Sequence, residues 1–409
     1  MADTESFRSE GTMNRKRINP FGFLLQDALR RIVARAQVGS IVIGLPNGKR
    51  IEHSGPQPGP QAQFMIRRWR TIWRLVRAGD VGLAESYMDG DWWTPDLFAF
   101  LDFGLRNEQW LGATTSGSTF RKLLNRLRHS FRRNNRRGSR RNIQAHYDIG
   151  NAFYTRWLDR TMNYSSALYR KGTETLEDAQ RGKVERAVEL MDIKGGEQVL
   201  EIGCGWGAVA ERLAKACRFT GVTLSDEQLE YAKKRVSVPN ADFRLQDYRD
   251  VREPFDRIVS IEMFEAVGEA YWKTYFDKLR SLLRPEGVAV LQIITIEERR
   301  FESYRGAPDF IQKYIFPGGM LPTINILERL ITQAGFKLEY TEFFGDSYAL
   351  TLAEWQRRFQ AAWSSLQDLG FDRRFKRMWE YYLAYCQSGF ANGAINVGFY
   401  KIVPIRSAC

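Results

Sequence analysis

The sequence predicts an α/β protein, with a doubly wound sheet in the C-terminal two thirds and a smaller, mostly helical N-terminal domain before it. Three observations predict this. From Asn142 onward, short apolar runs alternate with helical stretches. One of those runs, Gln198 to Ile202, ends in the glycine-rich turn Gly203-Cys-Gly-Trp-Gly207 and is followed by a helical stretch from Ala208 to Ala216. A chain of 409 residues also exceeds the length at which one core usually stops growing, so two domains are expected.

Composition bounds the partners. Apolar residues make up 44% of the chain and charged residues 27%, which suits a packed core in a protein that stays in water. No apolar run reaches the roughly 18 to 20 residues that span a bilayer, and Met1 to Glu10 lacks the apolar stretch of a secretory signal, so a cytoplasmic location is expected. The four cysteines (Cys204, Cys217, Cys386, Cys409) and three histidines (His53, His129, His146) show neither disulfide nor metal-ligand spacing. The net charge of +13 points to a polyanion, either nucleic acid or an anionic membrane surface.

Taken in order, residues 1–118 form the N-terminal domain. It opens on a cationic helix, Arg15 to Arg35, and continues with an apolar strand from Ser40 to Leu45 and a Pro/Gly turn cluster from Ser54 to Gly59. Helices bearing Trp69, Trp73, Tyr87, Trp92 and Trp93 close it. This domain offers a membrane contact or a homodimer contact. Residues 119–141 are a basic linker: Arg121 to Arg141 holds ten Arg or Lys and no acid. Leu123, Leu124, Leu127 and Phe131 fall there at helical spacing, which fits a basic amphipathic helix on an anionic surface as well as a solvated cationic face.

Residues 142–409 carry the chemistry. Glycines at a strand end let a ligand approach the backbone. The next strand, Phe219 to Leu224, ends in Thr223, Leu224 and Ser225, without the acid that a nicotinamide-binding fold places about twenty residues on, so a dehydrogenase is disfavoured. A third strand ends in Gln246-Asp247-Tyr248, offering a carboxylate and a ring to an adenine. A fourth, Phe255 to Ile261, ends in Glu262-Met-Phe-Glu265. All four ends fall on one edge of a parallel sheet, the expected ligand crevice.

These residues, with His146 to Asn151, Tyr164 to Ser166, Glu201 to Gly207, Gly221 to Gln228, Glu262 to Gly268 and Tyr314 to Gly319, resemble the cyclopropane fatty acid synthases and the related mycolic acid methyltransferases. Glu85 to Trp92 is similar to the N-terminal domain of the bacterial synthases. The resemblance implies a seven-stranded, Rossmann-like class I S-adenosylmethionine methyltransferase fold. It implies transfer of methylene from S-adenosylmethionine to a cis double bond of unsaturated phospholipid acyl chains, on the inner membrane face. Carried over by position, cofactor contacts are Tyr164, Ser165, Glu201, Gly203, Gly205, Gly207, Thr223, Leu224, Gln228, Asp247, Tyr248, Ile261 and Glu262.

The family is thought to use a bound bicarbonate as proton acceptor, held by a Glu, a Tyr, a Cys and a His. Glu265 and Tyr348 match the first two, whereas Ser166 stands at the Cys position and Gln292 at the His position. Strand alternation puts Gln292 and Ile294 on one face. Cys386 matches a cysteine the family labels as active, although a cysteine among aromatics is commonly a small core residue. Residues 299–322 are expected to form a lid. Trp355, Phe359, Trp363, Phe371, Phe375, Trp379, Tyr381 and Tyr382 belong to an aromatic helical insertion that either lines an acyl tunnel or packs a core. A nucleic-acid methyltransferase lacks support, because no Pro-Pro motif and no aromatic platform accompany the arginines. A branched-chain product and a lipid-binding module without catalysis stay open.

Overall fold

The computed structural model describes residues 20–111 and 149–405. The basic run Arg121 to Arg141, His129, His146 and Cys409 lie outside the described residues.

The catalytic half is built on a seven-stranded sheet of order β10-β11-β9-β8-β5-β6-β7. Its parallel strands are β5 (Gln198–Ile202), β6 (Arg218–Thr223), β7 (Ala241–Leu245), β8 (Phe255–Ile261) and β9 (Leu283–Ile296). The antiparallel β10 (Phe336–Phe343) and β11 (Ile395–Pro404) complete it. The central strands are near-continuous apolar runs because both sheet faces are covered. Val199, Val259 and Val290 enter the core on one face, and Leu200, Ile258, Ala289 and Leu291 enter the core on the other.

Two helices of the catalytic half, Asp226–Arg235 and Leu176–Leu190, are capped by short polar residues. Ser225 Oγ accepts from the Gln228 N–H at 3.3 Å, with Asp226 and Glu227 in the first turn and Lys233, Lys234 and Arg235 in the last. That arrangement complements the helix dipole. Thr175 caps Leu176–Leu190 in the same way, through the Asp178 N–H. The strands expected at Gln198, Phe219 and Phe255 appear within a residue of their predicted bounds, whereas β9 begins eight residues before Leu291; β10 is an edge strand that sequence periodicity does not mark.

The mostly helical N-terminal domain, with helices Pro20–Val33, Arg70–Met88, Leu97–Arg106 and Glu108–Leu111, also carries a four-stranded sheet, order β2-β1-β3-β4. β1 (Val38–Gly44) pairs antiparallel with β2 (Arg50–Ser54) and parallel with β3 (Gln57–Ile66), and β3 pairs with the short β4 (Trp92–Trp93). The Pro/Gly cluster is therefore partly strand, and Trp92 and Trp93 are not helical. Pro58 and Pro60 are tolerated because β4 reaches only Met65 and Ile66, leaving the first half of β3 unpaired on that side. Trp92 packs between Phe64 and Phe100, at ring centroid distances of 5.1 and 4.8 Å.

The motif Glu85 to Trp92 forms the seam between the two halves. Glu85 accepts from Tyr314 Oη at 2.7 Å and pairs with Lys313. Tyr87 Oη donates to Glu380, and Asp89 bridges Arg74 and Arg374. Asp91 is buried against Arg68, Arg70 and Arg74. Asp91 is thus satisfied within the N-terminal domain, while the contacts of Glu85 with Lys313 and Tyr314, of Tyr87 with Glu380 and of Asp89 with Arg374 cross to the other half and couple the domains.

Candidate active site

Strand ends of the large sheet open into a cavity of about 1760 Å³. Its polar end brings together Tyr164, Ser165, Glu201, Gly203, Gly205, Thr223, Leu224, Gln228, Tyr248, Ile261 and Glu262, positions at which the resemblance expects cofactor contacts. Gly203 and Gly205 have φ of +82° and +49°, a left-handed backbone that L side chains rarely adopt. A Cβ on Gly205 would enter open space, so a larger residue there projects into the cavity.

Two expected contacts are not in the cavity wall. Gly207 (φ +85°) starts the helix Ala208–Leu213, and a Cβ on it would lie 3.2 Å from that of Ala232, so it serves close packing. Asp247 is chelated by Arg249, whose Nε and Nη2 donate at 2.8 and 2.6 Å. The neighbouring Gln246, which also ends the strand, takes the place in the wall.

The loop Tyr164 to Ser166 is held from behind by the helix Leu176–Leu190. Gln180 Nε2 donates to the Ser165 carbonyl at 2.8 Å, and Lys183 Nζ donates to Ser165 Oγ at 2.7 Å and Asn163 Oδ1 at 3.2 Å. Lys183 was missed by the sequence reading. Its signal lies in the apolar stripe Leu176, Ala179, Gln180, Lys183, Val184, Ala187, where two polar residues stand at core positions. Burial drives its pKa down to about 8, opposed by the charges of Glu262, Asp159 and Glu201. Burial in turn pushes Glu201 up to about 8, opposed by Lys183 and Arg235.

The proposed base-site residues divide. Glu265, in the short turn Phe264–Ala266, lines the cavity and accepts from the Ile294 N–H through Oε1, while its buried Oε2 meets no donor. Burial and the nearby Glu262 charge raise its pKa to about 8. Tyr348 does not join Glu265: its phenol donates to Glu262 Oε2 at 2.7 Å. Gln292 Nε2 donates to Glu262 Oε1 at 2.6 Å, and the Ser166 N–H donates to the same oxygen at 2.8 Å. The Ser166 hydroxyl turns away to the Ala167 carbonyl, so only its backbone serves this cluster. Cys386 lines the cavity, but burial raises its thiol pKa, which opposes a thiolate nucleophile.

Beyond this polar end the wall is mostly apolar, with Asp80, Glu85, Arg300 and Asp309 among its polar members, and comes from both domains. Leu29, Ile43, Phe64, Leu101 and Phe103 contribute from the N-terminal side. Residues 300–321 form another side, where the lid was expected. Of the aromatic insertion, Tyr381 and Tyr382 reach the cavity. Trp355, Phe359, Trp363, Phe371, Phe375 and Trp379 instead pack together around Phe153 and Trp157 as a core.

The polar end fits S-adenosylmethionine on observations of this chain. Glu201 has a buried carboxylate oxygen with no partner, suited to an ammonium group, and Gly205 leaves the backbone open to a ligand. Thr223 Oγ1 donates to Gln228 Oε1 at 2.9 Å, which fixes two polar side chains at the next strand end.

The family described as Mycolic acid cyclopropane synthetase matches residues 134–400. Tuberculostearic acid methyltransferase UfaA1 of Mycobacterium tuberculosis is 36% identical over 361 residues, covering 83% of this chain and 82% of the relative. Cyclopropane-fatty-acyl-phospholipid synthase of Escherichia coli K12 is 38% identical over 332 residues, covering 78% and 81%. Among solved structures, mycolic acid cyclopropane synthase CmaA1 complexed with SAH and CTAB superposes with a TM-score of 0.61 at 31% identity. It covers 64% of this chain and 97% of that one. With this sheet, this glycine turn and these relatives, the chain belongs to the mycolic acid cyclopropane synthetase family and is an S-adenosylmethionine-dependent methyltransferase.

Proposed function

We propose that this enzyme adds a methylene to a cis double bond in phospholipid acyl chains, making cyclopropane fatty acids. The observation that carries the reading is one continuous cavity, polar at the glycine turn and mostly apolar toward the walls supplied by both domains. S-adenosylmethionine supplies an electrophilic methyl group. The chain's own part is to hold the alkene beside it without water and to steady the cation that forms on the acyl chain. Carboxylates and aromatic faces suit that charge, and Glu262, Glu265, Tyr164 and Tyr348 line the same space.

A phospholipid substrate places the enzyme at an anionic membrane surface. The net charge of +13 supports this, and each basic group near such a surface adds on the order of 1 kcal/mol. No helix among the described residues is long and apolar enough to cross a membrane. Attachment through charge weakens as salt rises. Vesicle co-sedimentation that does not change with salt contradicts this mode of attachment.

A second reading, methyl-branched acyl chains, is favoured by Gln292 at the position where the resemblance expects His, and by the relative named for tuberculostearic acid. Proton NMR of lipids from a host expressing the chain separates the two. Upfield cyclopropyl signals support the ring, and a new branched methyl signal without them supports the branch.

A further inference from the structure

Three of the four positions at which the resemblance expects a bicarbonate converge instead on a carboxylate of the chain itself. The Ser166 N–H and Gln292 Nε2 donate to Glu262 Oε1 at 2.8 and 2.6 Å, and the Tyr348 phenol donates to Glu262 Oε2 at 2.7 Å. The fourth, Glu265, is engaged by the Ile294 N–H. A bicarbonate and a side-chain carboxylate present similar oxygens and the same charge. Donors spent on one are not there for the other, so bicarbonate does not fit this cluster.

The backbone points the same way. Glu262 has φ of +48°, a conformation that costs a non-glycine residue roughly 1–2 kcal/mol and glycine almost nothing. Its N–H is pinned to the Gln292 carbonyl at 2.8 Å, directly after β8. A charged residue kept on a strained backbone at a cavity wall is a pattern of functional sites. Glu262 lines the cavity beside Tyr164, Ser165, Gly203 and Gly205, so it borders the space where the reacting carbon must lie.

We propose that Glu262 is the built-in general base of this enzyme and takes the place of a bound bicarbonate. The inference rests on the methylene-transfer reading. The π pair of the double bond bonds to the sulfonium methyl carbon, and the carbon–sulfur bond breaks with its pair left on sulfur. The neighbouring chain carbon is then cationic. A C–H bond of the transferred carbon breaks, its pair closes the ring, and the proton passes to a Glu262 oxygen, from which it later returns to water. A carboxylate has about four lone-pair directions, so three donors leave one for that proton.

The test uses the full chain with unsaturated phospholipid vesicles, with and without carbon dioxide-free buffer, and the variants Glu262→Gln and Glu262→Gly. S-adenosylhomocysteine binding by calorimetry confirms that each variant is folded. The expected results are wild-type turnover unchanged by bicarbonate removal and a loss of about 10²-fold or more in Glu262→Gln with S-adenosylhomocysteine still bound. Bicarbonate or formate should partly rescue Glu262→Gly, whose three donors are freed.

¹³C-bicarbonate NMR on the S-adenosylhomocysteine complexes gives a readout independent of turnover. Saturable binding is expected in Glu262→Gly and none in the wild type. Wild-type turnover that falls without bicarbonate, saturable bicarbonate binding to the wild type, or full turnover in Glu262→Gln overturns the proposal. If wild type turns over no lipid at all, the methylene-transfer reading fails, and the NMR comparison still decides what occupies the cluster.

Discussion

Glu265 and Glu262 are two carboxylates in one cavity with different surroundings. Burial raises the pKa of Glu262, opposed by its three donors and the charge of Lys183, whereas one oxygen of Glu265 meets no donor. The raised pKa of Glu265 has a stability consequence. Its contribution is fully present below about pH 4.5 and is lost as pH rises toward about 8, because ionising it in the folded state is opposed. Glu265→Gln keeps an acceptor for the Ile294 N–H and removes that burden. Its unfolding free energy relative to wild type, measured by denaturant titration, should therefore rise between pH 5 and pH 8, by an amount on the order of a few kcal/mol at most. An unchanging difference across that range contradicts the assignment. Residue types at the strand ends were legible in the sequence because the glycine turn fixes which edge binds. The exchange of partners was not: which of Glu262 and Glu265 receives Tyr348 depends on the left-handed backbone at Glu262, a tertiary feature with no sequence period.

Among elements, the turn after β5 separates two uses of glycine. Gly205→Val meets both a left-handed backbone and the cavity, so S-adenosylhomocysteine affinity should fall about tenfold or more, from a cost of about 1–3 kcal/mol. Gly207→Ala presses on Ala232 instead and should lower stability by about 1–3 kcal/mol while the folded protein keeps its affinity. Calorimetry and thermal melting check both, and equal losses of affinity in the two variants contradict the division. The buried parallel strands were readable because each is a short apolar run closed by polar residues. β3 was not readable, since its prolines read as turn residues unless one knows that half of the strand lacks a neighbour on one side. The helix Leu176–Leu190 reads as an ordinary amphipathic helix until its Gln180 and Lys183 are seen to anchor the Ser165 loop.

At the scale of the whole molecule, the N-terminal domain completes the cavity and is tied to the catalytic half through the Glu85 to Trp92 seam. Sequence similarity marks that motif, but its role in docking required the partners Lys313, Tyr314, Glu380 and Arg374. The half-buried Leu101 lies in the apolar wall far along the chain from the glycine turn. Leu101→Trp should reduce turnover of long-chain phospholipid roughly tenfold or more and leave S-adenosylhomocysteine binding intact, because it fills acyl space without touching the polar end. Undiminished turnover in this variant contradicts an acyl role for that wall. The most direct measurement of the central claim is S-adenosylhomocysteine release by the purified chain on anionic vesicles of saturated and of cis-unsaturated phospholipid. Release that requires the double bond and matches the gain in acyl carbon is the predicted result, and release that is absent or equal on both vesicles contradicts the account.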